Sequence, residues 1–153
     1  MVESERAVVE RQLGRPPRAF RGVAVRCPFG RPAVTEQNAY DDAGEPFPTT
    51  YWLTCPHLVA AVSRQEAAGG VERWTRDAAD DAALAASLER ANEEQRRVRP
   101  ELALGIGGAR PGAGSLKCLH AHVAFALARP GYELGERIVA ELEPLWPSVC
   151  CTP

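Results

Sequence analysis

Apolar positions along the chain fall into short runs whose period changes from segment to segment. Val8, Val9 and Leu13 lie at helical spacing in the stretch from about Glu3 to Leu13, and Gly14 stands where a helix end takes the left-handed conformation. That predicts an N-terminal helix within residues 1–14. Past Pro16-Pro17, the run Gly22-Val23-Ala24-Val25-Arg26-Cys27 favours a strand, which Pro28 and Gly30 end in a turn. A polar, turn-rich stretch with Asn38, Asp41, Asp42, Gly44, Pro46 and Pro48 separates it from Thr49-Thr50-Tyr51-Trp52-Leu53-Thr54, β-branched and aromatic enough to predict a second strand. The two are expected to pair as a hairpin with a long connection.

After Cys55 the period becomes helical. Leu58, Val59 and Val62 mark a helix with Pro56 at its first position and Gly69-Gly70 closing it. Asp77 to about Arg97 is the longest helical candidate, with Leu84, Leu88 and Ala91 on one face and Pro100 beyond its end. A Gly/Pro-rich loop, Gly105 to Gly114, leads to Ser115 as the expected N-cap of a helix striped by Leu116, Leu119, Val123 and Leu127. A last helix spans about Leu134 to Leu145, followed by a tail over residues 146–153. The sum is an α+β single domain over residues 1–153: a small antiparallel sheet of two or more short strands covered by about four helices.

Composition narrows the function classes. At 153 residues, 45% hydrophobic and 25% charged, the chain can bury a core of its own without disulfides. A net charge of −2 supplies no positive field, so no nucleic-acid partner is expected. The opening residues Met1 to Arg18 lack the apolar stretch of a signal peptide, and the longest apolar runs fall far short of a bilayer span. A cytoplasmic protein with no membrane partner is expected, and there thiols stay reduced and serve metals or catalysis.

Five cysteines therefore carry the candidate chemistry: Cys27, Cys55, Cys118, Cys150 and Cys151. No C-x-x-C knuckle joins them, but their local settings suit ligands. Cys27 leaves a strand into a turn, Cys55 occupies a helix N-cap slot before Pro56, and Cys118 sits in a predicted first helical turn, where the helix dipole favours a thiolate. A metal site of Cys27, Cys55, Cys118 and Cys150 is expected, with the tail folded back onto it. Cys151, or His122 four residues after Cys118, are the alternative fourth ligands. Two Cys-Pro steps and wide spacing favour an iron–sulfur cluster over zinc. With three ligands only, an open position beside Arg26, Lys117 and His120 could take an anionic ligand or small-molecule substrate.

Four blocks together resemble the bacterial domain of unknown function 501 family: Arg26-Cys27-Pro28-Phe29-Gly30-Arg31-Pro32; Glu45 through Pro56; Ser63-Arg64-Gln65-Glu66-Ala67; and Lys117-Cys118-Leu119-His120. The resemblance covers roughly Arg15 to Cys150 and keeps the order of the blocks; Gln65 and Leu116 depart from the family's usual Leu and Val. It implies a mostly actinobacterial, cytoplasmic protein encoded near a septum-formation initiator and an exopolyphosphatase-like enzyme, with no established activity. Cys27, Cys55, Cys118, Arg26, Lys117 and His120 all fall inside the blocks.

Other readings are weaker. Gly105 to Lys117 does not match a phosphate loop, and no nucleophile elbow is present. Asp77, Asp80 and Asp81 are expected to complement a helix start, and Arg96, Arg97 and Arg99 its end. The alternatives to a metalloprotein are a metal-free module recognising a protein partner in cell division or envelope growth, and a thiol enzyme using Cys118 with His120 or His57 as base.

Overall fold

Ser4 starts the first helix, α1 (Glu5–Leu13), by accepting a hydrogen bond from Ala7 N–H at 3.1 Å, and Gly14 ends it at φ 75°. Val8 and Val9 are its buried residues, and it packs on the sheet. The computed structural model describes residues 3–112 and 114–152. Its sheet has three antiparallel strands in the order β1 (Phe20–Arg26), β2 (Pro32–Gln37), β3 (Tyr51–Leu53). The expected hairpin between the first and last of these is corrected, because β2 lies between them and pairs with both.

The sequence hides β2 for a physical reason. As the central strand it is covered on both faces, so it shows no alternation: Pro32 takes the first position, where a missing N–H is tolerated, and Thr35 and Gln37 are buried. These polar groups satisfy one another. Gln37 Nε2 donates to Thr35 Oγ1 at 2.6 Å, and the Gln37 carbonyl accepts from the Arg99 guanidinium at 2.6 Å.

Among the described residues six α-helices accompany the sheet, against about four expected. The first of the additional breaks falls inside the long helix predicted over Asp77–Arg97: α3 (Gly70–Asp80) ends and α4 (Ala82–Val98) begins at an extended Asp81 (φ −119°). Asp81 Oδ1 accepts from Ala83 N–H at 2.9 Å and Leu84 N–H at 3.2 Å, so it caps α4, whereas Asp77 and Asp80 belong to the last turn of α3. Asp81→Ala is expected to destabilise the protein by about 1 kcal/mol in urea unfolding. Before it, α2 (Pro56–Ala67) has Cys55 as N-cap and Pro56 at N1, as the sequence indicates. Gly70 cannot be replaced without shifts, since a Cβ there would meet the Gln65 carbonyl oxygen at 2.6 Å.

The core is built around α5 (Leu119–Ala128), buried on almost every side and packed on β3 and on α6 (Glu133–Ala140). Its N-cap is Cys118, three residues later than expected. Lys117 stands in the left-handed region (φ 65°) and interrupts the helix, while Ser115 Oγ accepts from Lys117 N–H at 3.1 Å. α6 is shorter than expected, and Leu142 is buried beyond its end. Among the described residues no helix is long and apolar enough to cross a membrane.

His122 on α5 lies in this core. Its Nε2–H donates to the Leu116 carbonyl at 3.1 Å, leaving Nδ1 to accept from the Tyr132 hydroxyl at 2.8 Å. Burial holds the imidazole down at about 4 from its ordinary 6.5. A depressed folded-state value means that the unfolded chain takes the proton first as pH falls. The stability from the neutral ring is thus full above pH 6.5 and is lost as pH falls toward 4. Urea unfolding should show a loss of about 2 kcal/mol between pH 7.5 and 5, and a flat profile across that window would contradict the neutral buried ring.

Candidate functional site

Two helix ends meet at the wall of a cavity. The C-terminal half of α2 presents Ser63 and, three residues on, Glu66, which share one helix face. The start of α5 presents Cys118 as N-cap and His120 in the first turn. Glu66 Oε2 accepts the Leu119 N–H at 2.8 Å, so a carboxylate from another helix caps α5, and the Cys118 side chain makes no capping bond of its own. Cys118 N–H donates to the Leu116 carbonyl at 2.8 Å across the left-handed Lys117, a tight turn that sets the direction of the thiol.

Three donors of different chemistry converge here. Cys118 Sγ lies 3.7 Å from His120 Nδ1, which lies 3.2 Å from a Glu66 carboxylate oxygen, and ligand atoms of all three residues lie within 4.8 Å of one another. Both partners therefore face the same ring nitrogen. The other nitrogen, Nε2, is 3.2 Å from Ser63 Oγ. A hydrogen bond that the ring donates to the Cys118 sulfur is the main cause that raises His120 above its ordinary value; burial opposes it, and the Glu66 charge adds to it.

Cys118 and His120 form part of the wall of a cavity of about 660 Å³, lined also by Tyr51, Trp52, Val59 and Ala121. Thr54 stands in the same wall, is 1% exposed, and its buried Oγ1 has no hydrogen-bond partner among the described residues. A mostly apolar chamber with a cluster of titratable groups at its wall has the character of a small-molecule site.

The structure distributes the sequence-derived candidates among several places. All five cysteines are free thiols. Cys55, at the α2 N-cap, has its sulfur 3.7 Å from that of Cys151, while the Cys150 thiol lies 3.7 Å from the Thr152 carbonyl. Cys27 is half-buried in the β1–β2 turn, where its carbonyl accepts from Gly30 N–H at 2.9 Å. Of Cys27, Cys55, Cys118 and Cys150, only Cys118 belongs to a group of three close donors among the described residues. His122 has both ring nitrogens engaged in the core. Arg26 is held by Glu5 and by the Gly30 carbonyl at 3.2 Å, and Lys117 is exposed. His120 alone of the proposed anion-binding trio joins the cluster.

Glu66 and Ser63 escape the sequence reading, although both lie in the block Ser63-Arg64-Gln65-Glu66. A hydroxyl and a carboxylate at i and i+3 on an amphipathic helix were the available signal, and an exposed polar face carries the same pattern.

Residues 23–104 match the model of a protein family described as a protein of unknown function (DUF501). No curated protein and no solved structure matches the chain. The matched segment includes Cys27, Cys55, Ser63 and Glu66, and ends before Cys118 and His120.

Proposed function

The chain belongs to the DUF501 family, a family of unknown function, and on that premise we propose a cytoplasmic metalloprotein that binds one zinc ion through Cys118, His120 and Glu66. A fourth coordination position then faces the adjoining cavity and takes a small ligand. The observation that carries this reading is the convergence of sulfur, nitrogen and oxygen on one point. Tetrahedral zinc with ordinary bond lengths separates sulfur from nitrogen by about 3.6 Å and nitrogen from oxygen by about 3.4 Å. The corresponding separations here are 3.7 Å and 3.2 Å.

The surroundings support the same reading. A ligating imidazole is ordinarily fixed through its second nitrogen, and Ser63 occupies that place; the Leu119 N–H does the same for the carboxylate. Zinc accepts a mixed S, N, O set, whereas an iron–sulfur cluster takes predominantly thiolates, so the donor chemistry favours zinc over the cluster that cysteine spacing suggests. Three protein ligands plus an open position is the pattern of zinc sites that bind and polarise a substrate or activate water.

Metal analysis of protein purified without chelator should give one zinc per chain. Cobalt(II) exchanged into the site should show the visible bands of a tetrahedral ion together with thiolate charge transfer. Metal-free protein that takes up neither ion would sink the proposal.

A second reading rests on the Cys118–His120 contact, which also suits a thiol nucleophile beside its base. Alkylation separates the two. A zinc-bound Cys118 resists iodoacetamide until a chelator is added, while an activated nucleophile reacts at neutral pH whether or not chelator is present.

A further inference from the structure

Cys55 and Cys151 are far apart in sequence, yet their sulfurs lie 3.7 Å apart. The contact is not the chance position of a loose end. Thr152, the next residue, is buried, and its hydroxyl accepts from Gln12 Nε2 at 2.9 Å, which anchors the tail on α1. On the other side Cys55 is fixed as the N-cap of α2 and is 2% exposed. Cys150, although adjacent in sequence, directs its thiol to the Thr152 carbonyl. One sulfur of the tail is therefore selected by geometry.

We propose that Cys55 and Cys151 form a redox-active dithiol, oxidised to an intramolecular disulfide by small-molecule disulfides of the glutathione class. The exposed Cys151 thiolate attacks one sulfur of the small disulfide, breaking its S–S bond and releasing one thiol, and leaves a mixed disulfide on Cys151. Cys55, having given its proton to water, attacks the Cys151 sulfur, closes the Cys55–Cys151 bond and expels the second small thiol. Two protein thiols lose two electrons and two protons, and the small disulfide gains both as two free thiols. Cys151 leads because it is accessible; burial pushes the Cys55 thiol up to about 11, so its closing step is the slower one.

Oxidation here ties the tail to the start of α2, the helix whose Pro56 and Val59 line the cavity and whose far half carries Ser63 and Glu66. The site shares no residue with the proposed zinc ligands. It stands or falls separately from that reading.

The test is incubation of the intact, reduced protein with oxidised glutathione, followed by non-reducing peptide mapping and thermal unfolding. The expected product is a single Cys55–Cys151 linked peptide, with a thermal midpoint raised by about 5–15 °C because a long loop is closed. Cys151→Ser should abolish both changes, while Cys150→Ser and Cys118→Ser should retain them. A stable glutathione adduct on Cys151 without cross-linking, a Cys55–Cys150 link, or unmodified protein would each overturn the proposal.

Discussion

Replacing Cys118 by serine is expected to remove the bound metal. The zinc affinity of Cys118→Ser, measured by competition with a chromophoric chelator, should fall by at least roughly 100-fold, since even the loss of an orienting partner costs 10–100-fold. The sulfur is the softest donor of the three and the one whose distance to His120 Nδ1 (3.7 Å) matches a shared ion. Glu66→Gln should weaken binding too, yet keep the fold. An amide oxygen still accepts the Leu119 N–H and preserves the cap on α5, so loss of metal and loss of structure separate in that variant. Ser63→Ala frees His120 Nε2 and should weaken binding about 10–100-fold without touching a ligand. If all three variants bind zinc as tightly as the unaltered chain, the cluster is an ordinary helix cap with a neighbouring thiol.

Phe125→Ala is expected to have the largest effect on stability. Phe125 is 1% exposed at the centre of α5, with its ring edge-on to Tyr51 at 5.8 Å and to Tyr132 at 5.9 Å. Truncation removes contacts to the sheet through Tyr51 and to the start of α6 through Tyr132, and leaves a cavity that neither neighbour can fill. A loss of about 3–5 kcal/mol in urea unfolding follows, a large part of the 5–15 kcal/mol that holds a domain together. Because Tyr51 also lines the cavity beside the proposed zinc ligands, this variant should bind zinc more weakly at temperatures close to its unfolding transition. A loss below about 1.5 kcal/mol, the range of volume-conserving swaps, would mean that the surroundings collapse into the space the ring leaves.

Much of the architecture is legible along the chain because its causes are local. Ser4 and Gly14 bound α1, Pro56 opens α2, and the aromatic and β-branched run at Tyr51–Leu53 makes β3. Each depends on residues within a turn of one another. The misplaced boundaries have local causes of a subtler kind. Asp81 divides what periodicity reads as one helix, its carboxylate accepting from the Ala83 and Leu84 N–H groups in place of the carbonyls a continuous helix would offer. Lys117 delays α5 by adopting a left-handed conformation that its residue type does not announce. β2 is missed because a strand covered on both faces carries no alternation to detect.

Cysteine chemistry divides along the same line. That Cys55 stands at a helix start follows from the sequence alone, since Pro56 marks the place, whereas Cys118 becomes the N-cap of α5 only because Lys117 turns left-handed. Which groups they meet does not follow. Glu66 reaches Leu119 across 53 residues and Cys55 reaches Cys151 across 96, so neither pairing has a local signature. Those meetings depend on α2 and α5 packing together and on Thr152 anchoring the tail. Local propensity, capping and turn chemistry let the sequence determine the α+β class and the helix start on which Cys55 sits. Only long-range packing decided that the Glu66 carboxylate joins Cys118 and its near neighbour His120, and that Cys55 faces a second thiol.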